Sequence, residues 1–82
     1  MLQVILALNA KRAREGLELL KNNINILDNA KYINCEEEIK EYKLKIKEYT
    51  NMLKKDDLKM PETDEILSFI SICNDKVMAK FT

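Results

Sequence analysis

From Leu6 onward, apolar or small residues fall at Leu6, Ala10, Ala13, Leu17, Leu20, Ile24 and Leu27, separated alternately by four and three positions. Steps of three and four return a side chain to the same side of an α-helix, so these residues form one unbroken stripe with the spacing of a coiled-coil seam. The pattern predicts a helix over about residues 2–28. Gly16 lies inside it at a cost of about 1 kcal/mol relative to Ala. It either admits a close neighbour or leaves a weak point. Asp28-Asn29 then breaks the pattern.

A second stripe runs through Tyr32, Cys35, Ile39, Tyr42, Ile46, Tyr49 and Leu53, again in threes and fours. Asn34 is a candidate N-cap. Glu36, Glu37 and Glu38 follow it, where carboxylates meet the positive end of the helix dipole, and Lys54 and Lys55 close the other end. Glu36/Lys40 and Glu41/Lys45 are spaced as ion pairs on one helix face, each worth a few tenths of a kcal/mol. This second helix is expected over about 34–55. Asp56 to Glu62, with the sole Pro61, reads as a connection. A third helix is expected over about 63–81, starting at Thr63 or just before it, with Ile66, Leu67, Phe69, Ile70, Ile72, Cys73, Val77, Met78 and Phe81 on a wide apolar face. A face that wide suits a helix packed on two neighbours.

Short connections favour antiparallel neighbours, so the expected fold is all-α and up-down-up. It is a long antiparallel helical hairpin with coiled-coil-like seams plus a third helix, in one domain over 1–82, and it is oligomeric. One Gly, one Pro and 6% aromatics leave little turn chemistry for an all-β alternative. Hydrophobic residues at 46% beside 34% charged residues describe a compact chain rather than a disordered one. At 82 residues the core is too small to house a deep active site.

Chemistry is constrained more by what is missing. The chain has no His, which removes the commonest general base and metal ligand. It carries no nucleophile with a base, no Cys-x-x-Cys and no phosphate-cradling Gly loop, so no enzymatic activity, metal or cofactor is expected. The formal net charge of +0 disfavours a generally basic nucleic-acid binder. The acidic corner of Asp56, Asp57, Glu62, Asp64 and Glu65 lacks the alternating ligands and central Gly of a calcium loop, and reads as turn and helix-start chemistry.

The apolar run from Val4 to Leu8 is followed, not preceded, by Lys11, Arg12 and Arg14, the reverse of a secretory signal, so the segment reads as mature protein. No stretch approaches the roughly 20 apolar residues of a membrane span, and no membrane partner is expected. In the antiparallel hairpin of the second and third helices, Cys35 lies level with the C-terminus and Cys73 with about residue 45. That offset is about 15 Å at about 1.5 Å per residue, against the roughly 7 Å a disulfide tolerates. Both thiols are therefore expected as reduced seam residues of a cytoplasmic protein.

Three features bear on binding. Leu2, Val4, Ile5, Leu8, Leu19, Ile26, Ile33, Leu44 and Leu58 lie off the assigned stripes, most densely at the N-terminal end, and exposed apolar patches mark interaction surfaces. Leu2, Ile5 and Leu8 are the candidate protein-interface residues there. Tyr32, Tyr42 and Tyr49 are further candidates on the second seam, since tyrosine suits half-wet interfaces, and Tyr49 is expected near Ala10 and Ala13. Lys11, Arg12 and Arg14 form the only basic cluster on the first helix and hold both arginines, the side chains best fitted to grip phosphate. The leading expectation is a non-enzymatic helical interaction module that self-associates, most simply as a dimer, and acts as a regulator, inhibitor or adaptor by binding another protein. The alternative is a small nucleic-acid or nucleotide binder using Lys11, Arg12 and Arg14 on an oligomer.

Overall fold

The computed structural model describes residues 2–30 and 35–81, without the side chain of Leu2. Three helices account for almost all of it: α1 (Leu2–Ala30), α2 (Glu36–Met52) and α3 (Met60–Ala79). The molecule measures 47 × 21 × 16 Å. The 29 residues of α1 set that long axis, since about 1.5 Å per residue makes a helix of this length about 43 Å long.

Cross-helix contacts give the directions. Asn9 Nδ2 lies 4.0 Å from Met60 Sδ and Asn23 Nδ2 donates to Asn74 Oδ1 at 3.2 Å, so α1 and α3 run parallel. Lys43 Nζ meets Asp28 at 2.9 Å and Lys80 Nζ meets Glu38 at 3.2 Å, so α2 runs antiparallel to both. The arrangement is up-down-up. The emphasis differs from a hairpin with a helix added, however: α1 makes its most extensive contact with α3 and a smaller one with α2. Gly16 explains part of this. A Cβ there would lie 3.0 Å from Ile70 Cδ1 and 3.2 Å from Ile70 Cγ2, so the bare backbone lets α3 come close.

The core is the pair of stripes read from the sequence. Ala10, Ala13, Leu17, Leu20, Ile24 and Leu27 of α1 are buried, with Cys35, Ile39, Ile46, Tyr49 and Leu53 at or beside α2. Leu6 is half-buried. From α3 come Ile66, Cys73 and Val77, flanked by the half-buried Leu67, Phe69 and Ile70. The wide face of α3 is only partly used: Ile72, Met78 and Phe81 remain exposed. Thr63, the one buried polar residue described, donates its hydroxyl to Met60 O at 2.8 Å.

Helix ends depart from expectation. The first helix runs through Asp28-Asn29 to Ala30, with the Asp28 carboxylate at its negative end compensated by Lys43. The second stops at Met52, short of Lys54 and Lys55. The third begins three residues before Thr63, because Pro61 in its first turn needs no amide partner and Glu62 Oε1 accepts from the Lys59 N–H at 3.0 Å. Asn34, the expected cap of α2, lies outside the described residues, and Cys35 occupies the N-cap position. No helix among the described residues is long and apolar enough to cross a membrane.

Candidate functional site

The side of α1 turned away from α2 and α3 carries an apolar surface. Val4 is 70% exposed, Ile5 45%, Leu8 47%, Leu19 60% and Ile26 59%. The surplus is therefore a stripe along most of the helix rather than a patch confined to the N-terminal turns, where the sequence is densest in apolar residues. Lys11, Arg12, Glu15 and Asn22 stand exposed among them. Among the described residues, none of Lys11, Arg12, Arg14, Glu15 and Glu18 is engaged in an ion pair, although Lys11/Glu15 and Arg14/Glu18 have helical pair spacing. Of the other interface candidates, Ile33 and Tyr32 lie outside the described residues, as does the side chain of Leu2.

The helix divides the basic cluster. Residues two apart on a helix point to nearly opposite sides, so Arg12 turns away from Arg14, which lines the cleft between α1 and α2; Lys11 does not line it either. That cleft encloses about 640 Å³. Its floor is Leu17, Ile46 and Leu53, and its walls carry Arg14, Lys21, Lys43 and Lys47 against a single carboxylate, Glu18. Asn25, Thr50 and Asn51 add polar rims, with the Thr50 hydroxyl donating back to Ile46 O at 2.7 Å. Of Lys11, Arg12 and Arg14, only Arg14 lines this cleft. Lys21, Lys43 and Lys47 line it too, and lie outside the basic cluster read from the sequence. The signal for them lay in spacing, seven residues from Arg14 to Lys21 and four from Lys43 to Lys47, which keeps each pair on one helix face.

Tyr42 and Tyr49 pack inside the chain. Tyr49 is buried, its ring centroid 5.1 Å from that of Phe69 at 59°, with Lys45 Nζ 5.8 Å above the ring. The ring it meets belongs to α3, beside the Ile70 that covers Gly16. Tyr42 is half-buried beside Cys73. Burial pushes its hydroxyl pKa up, and the neighbouring Cys73, Glu38 and Glu41 add to the rise. Cys73 is buried and its thiol is pushed up to about 11 by desolvation, with Lys76 pulling the other way. No disulfide joins Cys35 and Cys73. Cys73 lies level with Tyr42, and Glu38 with Lys80, so Cys35 sits beyond the end of α3, close to the register expected from the hairpin.

No protein-family model, curated protein or solved structure matches the chain.

Proposed function

We propose that the chain is a non-enzymatic α-helical interaction module that self-associates through the outer face of α1 and acts as a regulator, inhibitor or adaptor of another protein. The observation that carries this reading is the row of large apolar side chains, Ile5, Leu8, Leu19 and Ile26, left in water on one helix. Burying such side chains is worth about 1.5–3 kcal/mol each, and a second copy supplies the matching face automatically through two-fold symmetry.

Size-exclusion chromatography with light scattering tests it. The expected mass is twice the 9.6 kDa of the chain, falling to a single chain in Leu8→Lys or Ile5→Lys while helicity is unchanged. A wild-type protein that stays at one chain over a wide concentration range overturns the self-association.

A second reading rests on the α1–α2 cleft. Arg14, Lys21 and Lys47 over an apolar floor, with Lys43 beside them already paired to Asp28, suit a phosphate-bearing ligand such as a nucleotide, the base lying on Leu17 and Ile46. It predicts that titrated ATP binds more weakly as salt rises, and that Arg14→Ala and Lys47→Ala each weaken it. Heat-free titrations of ATP and of an oligonucleotide in calorimetry would remove this reading.

A further inference from the structure

The outer face of α1 carries a second seam, distinct from the one that faces the core. Ile5, Leu8, Arg12, Glu15, Leu19, Asn22 and Ile26 follow one another at steps of three and four, and every one is exposed. Resting on the self-association proposed above, we infer that two copies pair through this seam as antiparallel helices, with the two-fold axis passing between residues 13 and 14.

The charges select that geometry. With the axis there, Arg12 faces Glu15 of the second copy, Leu8 faces its Leu19, and Ile5 faces its Asn22. Lys11, on the flank of the seam, meets Glu18 of the second copy. Two-fold symmetry makes each of these pairs twice, so four ion pairs form from groups that have no ion-pair partner within one chain. A parallel pairing would instead set Arg12 on Arg12 and Glu15 on Glu15. Sliding the antiparallel pair one heptad either way sets Arg12 against Leu8 or Glu15 against Leu19, burying a charge against an apolar side chain, which is costly. The chosen register leaves Ile26 over the start of the partner's α1.

The test mixes exposed-site variants. Arg12→Glu and Glu15→Arg each place like charges opposite each other twice in the homodimer, and should raise its dissociation constant by roughly tenfold or more. An equimolar mixture of the two should form a heterodimer tighter than either homodimer, and the R12E/E15R double variant should return to wild-type affinity. Independently, L8C mixed with L19C should cross-link under mild oxidation while L8C alone does not, because only the first pair comes within the roughly 7 Å that a disulfide spans. If the protein is dimeric but the charge variants behave as wild type, or L8C links to itself, this register is wrong and self-association by another face stands. A protein that is monomeric throughout overturns both.

Discussion

Gly16 shows what a single residue decides here. A methyl group at that position would gain about 1 kcal/mol of helix propensity, but it would also press on Ile70 at 3.0 and 3.2 Å, and Ile is stiff at its branched carbon. Gly16→Ala alone should therefore gain well under that amount. In an Ile70→Ala background the same substitution should recover the full gain, a coupling of about 1 kcal/mol readable from a double-mutant cycle in chemical denaturation. Strict additivity would show that α3 yields without resistance. Cys73 supplies a second prediction at this scale. Its thiol holds its proton to about 11 rather than 9.0, so the folded state binds that proton more tightly than the unfolded chain does. The resulting stability is complete below about pH 9 and is lost as pH rises through about 11, and the raised Tyr42 hydroxyl acts with the same sign. Native protein should consequently resist alkylation at Cys73 near pH 8 and react quickly only in denaturant. Equal rates in the two conditions would refute this placement of the thiol.

At the scale of elements, the stripes were legible and the ends were not. All of the α1 stripe from Ala10 to Leu27 is buried, because a three-four repeat depends only on local helical geometry. The start of α3 was hidden by Lys59 at its N-cap, a residue with no acceptor to offer. The cap comes from Glu62 reaching back to the Lys59 amide, reinforced by Lys55 at 3.8 Å. Glu62→Ala should cost about 1 kcal/mol of stability, whereas Glu62→Gln, which keeps an acceptor and loses the charge, should cost a few tenths. Thermal unfolding of the two variants separates them, and equal losses would mean that the ion pair rather than the cap matters. The expected Glu36/Lys40 and Glu41/Lys45 pairs give way to Lys45–Glu48 and to Glu38–Lys80, since exposed side chains take whichever partner the tertiary fold brings near. The basic cleft was illegible for the same reason. Its cations come from two helices, and adjacency in sequence made Arg12 and Arg14 look like one site when a helix turns them apart.

For the whole molecule, the decisive quantity is how much apolar surface three helices can cover. An elongated body 16 Å across at its thinnest gives α1 neighbours on its inner side only, so a helix with apolar residues on both sides must leave one of them in water. A second copy would cover it, and mass action then ties stability to concentration. The melting temperature of the wild-type protein should rise as its concentration is increased. Leu19→Lys, at a position 60% exposed in the single chain, should leave the dilute-limit melting temperature nearly unchanged and abolish that rise. A variant that melts lower at every concentration would mean that Leu19 supports the fold of the single chain. A wild-type melting temperature independent of concentration, at concentrations where scattering shows a dimer dissociating, would mean that the second copy adds nothing to folding.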